Sequence, residues 1–200
     1  MGDMRLHGTR ISYDADPSIN TPEKRLEAVN HYQAWHALKP NEIPTKLFFG
    51  VSDFSEKQKT LKDASIIKNG LAIISERFAD LLKDFDLGAT QIFEIPLFEY
   101  DQETQRPGKY FLLNVAETKP CFVPEQSTGV RPGKYTAVGL WNLISIENLA
   151  VLSTAAVGAD MWADPVLREA IFMSDRLVKA IRAAKISPVP LKPCNVIVPN

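Results

Sequence analysis

Cysteine and histidine are both scarce in these 200 residues, and their placement excludes two common kinds of site. Cys121 and Cys194 stand 73 positions apart with no metal-type spacing around either, which leaves no disulfide framework and no zinc motif. Both are expected as reduced thiols in the core or at its edge. The three histidines, His7, His31 and His36, fall in the first fifth of the chain. His31 and His36 are five apart, so on a helix they point about 140° away from each other and cannot share a metal.

No apolar stretch approaches the ~18 residues that cross a bilayer, and Met1 to Arg10 contain no apolar core behind a basic start. Neither export nor membrane insertion is expected, and the expected location is the cytoplasm. Phosphate-binding loops of the forms G-x-x-x-x-G-K-[ST] and G-x-G-x-x-G are missing, as are a G-x-S-x-G elbow and an H-E-x-x-H helix. No metal and no cofactor are expected. A formal net charge of -1 gives the whole molecule no electrostatic reason to seek nucleic acid or anionic lipid.

What the chain does have is the balance of a folded domain, with 45 % hydrophobic and 24 % charged residues. Its charge is uneven. Ten acids face seven bases from Asn41 to Tyr100, whereas six bases face four acids from Val151 to Asn200. A charged recognition surface is therefore expected to be acidic and central.

Thr21-Pro22-Glu23 reads as a helix start, since threonine caps free amides and proline fits the first helical position. Ala28, Tyr32, Trp35 and Leu38 share one side at helical spacing, so the helix is expected to run to about Leu38, before Lys39-Pro40. Lys46 to Gly50 reads as a short buried strand, and the lysine-rich Ser55 to Lys68 as a solvated helix or a loop. The tryptophans, Trp35, Trp141 and Trp162, read more readily as core than as binding anchors.

From Gly70 the pattern sharpens. Leu71 to Ile74 is an apolar lead-in to Ser75, after which Phe78, Leu81, Leu82 and Phe85 follow the helical rule and Gly88 marks the exit. Gln91 to Ile95 and Leu97 to Tyr100 return as extended chain. The arrangement recurs 99 positions later: Ile171 to Leu177 matches Ala72 to Phe78 in type, with serine, acid, arginine and a large apolar residue in each copy. Here Pro188 to Leu191 is expected in place of the strand after the first helix.

A serine hydroxyl accepts from early helix amides, and the following acid sits at the positive end of the helix dipole. Ser75 and Ser174 are thus read as helix caps. Read as nucleophiles, with Arg77 and Arg176 as oxyanion partners, they would support an enzyme acting on a small molecule. The downstream helical periodicity favours caps.

Arg-Pro-Gly-Lys-Tyr also occurs twice, at Arg106 to Tyr110 and Arg131 to Tyr135, and suggests two turns of one type in a sheet rich in hairpins. Tyr110 to Val115 is the strongest strand candidate and suits a sheet centre, whereas Tyr135 to Ile146 is apolar without a settled type. Glu76, Asp80 and Asp84 stand at i, i+4, i+8 beside the apolar stripe of the first repeated helix. Such an acidic line could engage a basic partner, or be a plain solvated face.

The segment Gly70 to Phe78, the strand Tyr110 to Val115, and Asp160-Met161-Trp162-Ala163-Asp164-Pro165 leading into Phe172 to Leu177 together resemble the eleventh class of immunity proteins in bacterial polymorphic toxin systems. The resemblance covers most of Lys46 to Leu191 and leaves Thr21 to Leu38 outside it. It implies a small cytosolic protein, encoded beside a secreted toxin, often one delivered by contact-dependent or type VI secretion and often nuclease-like. No catalytic residue carries over.

The chain is accordingly read as α+β, with a mixed or mostly antiparallel sheet covered by two or three helices, an internal strand-helix repeat and an extra N-terminal helix. Residues 1–45 are expected to form a helical extension packed on the core, and residues 46–200 the α+β domain. The expected activity is binding to a cognate toxin, without catalysis. An enzyme acting on a small molecule or a toxin-made modification, or an adaptor within a secretion apparatus, is the alternative.

Overall fold

The computed structural model describes residues 11–14, 32–49, 61–66, 72–99, 101–133, 139–187, 189 and 191–199. In chain order these hold β1 (Ile11–Asp14), β2 (Lys46–Phe49), β3 (Ala64–Ile66), β4 (Ala72–Ser75), α1 (Glu76–Leu82), β5 (Gln91–Glu94), β6 (Leu97–Phe98) and β7 (Tyr110–Asn114). They continue with β8 (Val130–Pro132), β9 (Trp141–Leu143), β10 (Ala150–Leu152), β11 (Met161–Ala163), β12 (Leu167–Arg168), β13 (Ile171–Met173), α2 (Asp175–Ala183) and β14 (Asn195–Ile197).

The α+β class stands, but the single sheet does not. Among the described residues the strands form five small sheets, the largest being the four-stranded antiparallel β3-β4-β7-β5. Strands of two to five residues cannot extend one ladder far, and the chain changes sheet at its turns instead. Of the remaining sheets, β1-β2-β6 and β12-β9-β8 each mix one parallel with one antiparallel pair, β10 and β14 pair in parallel, and β11 and β13 pair antiparallel.

β7 occupies the interior of the largest sheet, where its nearly continuous apolar run has two faces to cover. The alternation of side chains sends neighbours to different cores. Ile74 and Leu113 join Phe78, Leu82, Leu177 and Ile181 beneath both helices. Ile73 and Leu112 join Leu47, Leu97, Tyr32 and Leu38 on the other side. A third cluster gathers Cys121, Phe122, Leu149, Val151, Trp162, Leu167 and Phe172.

Most of the expected N-terminal helix, Thr21 to Leu38, lies outside the described residues. Its end is visible: Tyr32 and Gln33 are helical, Trp35 takes a left-handed backbone at φ 61°, and residues 36–39 are not helical. The chain therefore leaves the helix before Leu38. Tyr32 ties it to the sheet, its phenol accepting from Ala72 N at 2.7 Å and donating to Leu113 O at 3.1 Å. Burial pushes that phenol well above its ordinary pKa.

Three other expectations change. Ala64–Ile66, inside the segment read as solvated helix or loop, is a strand with buried Ala64 and Ser65, held by pairing with β4. The second Arg-Pro-Gly-Lys-Tyr copy does not repeat the first. Gly108, at φ 97°, precedes the strand that begins at Tyr110, whereas Arg131 and Pro132 already lie in β8. The strand expected at Pro188 to Leu191 comes instead at Asn195–Ile197; of that segment Val189 and Leu191 are described, neither in a strand.

Candidate functional site

Each repeated helix starts where a strand, buried in the first copy and half-buried in the second, delivers a serine with extended backbone. Ser75 Oγ accepts the Phe78 amide at 3.3 Å, and Ser174 Oγ accepts the Leu177 amide at 3.2 Å. Both hydroxyls act as N-caps. Each also donates its own proton, to an aspartate that the sequence pattern did not tie to it. Ser75 Oγ donates to Asp63 Oδ1 at 2.8 Å, and Ser174 Oγ to Asp160 Oδ1 at 2.5 Å.

These two aspartates organise matching clips. Ser75 N bonds to Asp63 O at 2.9 Å and Ser174 N to Asp160 O at 2.8 Å. Arg77 Nε lies 3.0 Å from Asp63 Oδ1, and Arg176 Nε lies 2.6 Å from Asp160 Oδ1. The second oxygen of each carboxylate accepts a backbone amide from the other half of the chain, Ser187 N for Asp63 and Asp86 N for Asp160, both at 3.0 Å. The reverse backbone bonds, Asp63 N to Ser187 O at 2.9 Å and Asp160 N to Asp86 O at 2.6 Å, close each clip.

Asp160 is the more deeply set, at 1 % exposed. Burial alone pushes its carboxyl up, but hydrogen bonds from Arg176, Ser174 and the Asp86 amide outweigh that and hold it below the ordinary carboxylate range. Arg176 also binds the second carboxylate oxygen and lies over the Phe85 ring, 5.4 Å from its centre. Arg77 spends Nη2 on the carbonyls of Ala184 and Lys185, at 2.8 and 2.9 Å. The two arginines thus occupy opposite ends of an antiparallel helix pair, each bound to its own aspartate, and the fold does not bring them into one site.

The acidic residues Glu76, Asp80 and Asp84 are all exposed. Only Glu76 and Asp80 belong to the helix, because α1 ends at Leu82 and tighter i to i+3 bonds carry the chain through Asp84 and Phe85. The three therefore do not form one straight helical ridge. Basic residues sit among them: Lys83 Nζ is 2.7 Å from Asp80 Oδ1, and Lys109 Nζ lies 3.8 Å from Glu76 and 3.9 Å from Glu94. The hydrogen bond to Asp80 raises the Lys83 pKa.

A different cation is held inside the third cluster's rim. Lys119 Nζ donates to the carbonyls of Ala155, Val157 and Ala159 at 3.0, 2.8 and 2.8 Å and sits 4.1 Å from the centre of the Trp162 ring. All three ammonium donors are used, which fixes the loop after the 3-10 turn Ser153–Ala156. Trp162 and Trp35 are buried and Trp141 is half-buried, so none stands out as an exposed anchor. Among the described residues no three His, Cys, Asp or Glu side chains gather as a metal site, and no helix is long and apolar enough to cross a membrane.

The sequence matches the model of the immunity protein family Imm11 over residues 13–196. The chain belongs to this family. As an Imm11 protein it is assigned to toxin immunity in general, and the repeated helix starts and the tryptophan segment that suggested the resemblance lie inside the matched span. That span also takes in Thr21 to Leu38, which the resemblance read from the sequence left outside. No curated protein matches the chain.

Proposed function

We propose that this Imm11 protein binds one cognate toxin, encoded by an adjacent gene and delivered by a secretion system, and neutralises it in the cytoplasm without catalysing a reaction. Family membership over residues 13–196 carries this reading. The two arginines that a shared catalytic site would need are each committed to a separate aspartate, which favours binding over chemistry.

Glu76, Asp80 and Asp84 are the proposed contact residues, facing a basic toxin surface such as the phosphate-binding surface of a nuclease. Exposed carboxylates beside a helix held at both ends offer charge without a large ordering cost, and charge complementarity acts mainly on the rate of encounter.

Purification with the neighbouring gene's product, followed by a growth-protection assay, tests the function. A stable complex and rescued growth are expected; absence of both would remove the reading. Replacing Glu76, Asp80 and Asp84 together by lysine tests the surface. Association about tenfold slower at low salt, with folding unchanged, is expected. An unchanged association rate would place the contact elsewhere.

A further inference from the structure

The clips can be superimposed on the chain as one pattern used twice. Asp63 is followed by β3, then β4, then Ser75 and α1; Asp160 is followed by β11, by a connection that carries the two-residue β12, then by β13, Ser174 and α2. Both strand pairs are antiparallel. The serines, arginines and inward-facing helix residues all keep the same offset of 99, with Phe78 matching Leu177 and Leu82 matching Ile181. The aspartates are offset by 97, and the difference of two lies in the hairpin connections.

The amide that closes each clip comes from the other copy. Ser187 is the fourth residue beyond the end of α2, and Asp86 is the fourth beyond the end of α1. Five polar contacts recur in both copies: serine amide to aspartate carbonyl, serine hydroxyl to carboxylate, arginine Nε to carboxylate, and the two exchanged bonds with the opposite helix end. Chance resemblance of two helix starts would reproduce the local contacts, but it would not reproduce the exchanged ones.

We infer that the chain is built from two copies of one hairpin-helix unit related by an internal two-fold axis, and that each copy's aspartate locks the far end of the other copy's helix. α1 is held at its start by Asp63 and at its end by Asp160; α2 is held at its start by Asp160 and at its end by Asp63. Each carboxylate secures one end of the antiparallel pair. Since Phe78, Leu82, Leu177 and Ile181 share one core beneath, neither helix can lift without stripping the other. The helix pair opens as one body, and a partner docking on either outer face meets a surface that yields only as a whole.

Hydrogen exchange read by mass spectrometry on the full chain tests this. Asp63→Asn is expected to raise exchange about tenfold or more at residues 184–187, in the opposite copy, as well as at the start of α1. Asp160→Asn is expected to do the same at residues 84–88 and at the start of α2. If Asp160→Asn fails to fold, Arg176→Gln, an exposed change that weakens the same clip, takes its place with the same readout. In the unchanged protein the slowest amides of the two helices are expected to share one opening free energy. Effects confined to the copy that carries the substitution, or separate opening free energies for the two helices, would overturn the interlock.

Discussion

Asp160 Oδ2 accepts the amide of Asp86 at 3.0 Å, across 74 positions of chain, while its other oxygen takes the Ser174 hydroxyl. One carboxylate thus joins the exit of the first helix to the entry of the second. Because it is buried and bonded by charge-assisted donors, its loss has consequences that an exposed ion pair would not have.

Asp160→Asn is expected to lower stability by about 2 kcal/mol or more, measured by urea unfolding at neutral pH. The pH dependence has a definite sign. The folded carboxyl lies below its ordinary range, so its contribution is complete above the unfolded value of about 3.9 and is lost as pH falls through the folded value. The difference between wild type and variant should be constant from about pH 5 upward and shrink below about pH 4. A difference that grows on acidification would contradict the assigned charge state.

Ser75→Ala and Ser174→Ala each remove an N-cap and a donor to the clip. A cost of about 1 to 2 kcal/mol is expected for each, at the upper part of the range for caps, because the aspartate also loses a partner. Ser→Asn at the same positions would keep a capping oxygen and should recover part of that stability. Thermal unfolding followed by far-UV circular dichroism would read both effects; a cost near zero at both serines would show that the caps contribute little.

Lys119→Met keeps the aliphatic stem but removes the ammonium that bridges three carbonyls and faces Trp162. A loss of roughly 1 to 3 kcal/mol and faster proteolysis within residues 155–159 are expected. Tryptophan emission should change as the cation leaves the ring, and an unaltered spectrum with unaltered protease sensitivity would count against a clamped loop.

Cys121 is 1 % exposed and its thiol is pushed up to about 11, chiefly by burial, with the Trp162 hydrogen bond pulling the other way. The nucleophilic thiolate is then rare at neutral pH. Native protein treated with a maleimide at pH 7 should be labelled at Cys194, which is half-buried, well before Cys121. Equal labelling of both in urea would show that the fold, not the local sequence, protects Cys121.

The repeated Ser-acid-Arg-apolar starts were readable in the sequence because capping is local: the hydroxyl reaches an amide three residues ahead. Tyr110 to Val115 was readable as a sheet centre for a similar reason, an apolar run too continuous for a half-solvated strand, and the strand itself ends at Asn114. Less was legible about the acidic line. Spacing placed Glu76, Asp80 and Asp84 on one ridge, but it could not report that the helix stops at Leu82 or that Lys109 comes alongside from a distant turn.

Asp63 escaped notice, and Asp160 stood out only as the first residue of the tryptophan segment, because their roles are made by partners far along the chain. A signal was present, an aspartate 12 residues before the first serine and 14 before the second, but at those separations no periodicity ties the two together. The same holds for the five small sheets and for the unlike fates of the two Arg-Pro-Gly-Lys-Tyr copies, where pairing partners overrode identical local chemistry.

The sequence by itself determined where the two helices start, which strand fills the centre of the largest sheet, and the family. Only the tertiary structure decided that the two units clasp each other, since the bond from Ser187 to Asp63 spans 124 positions and exists only once both helices are packed on a common core. Hydrogen bonding within a turn is written into neighbouring residues; bonding between halves is written into the shape they share.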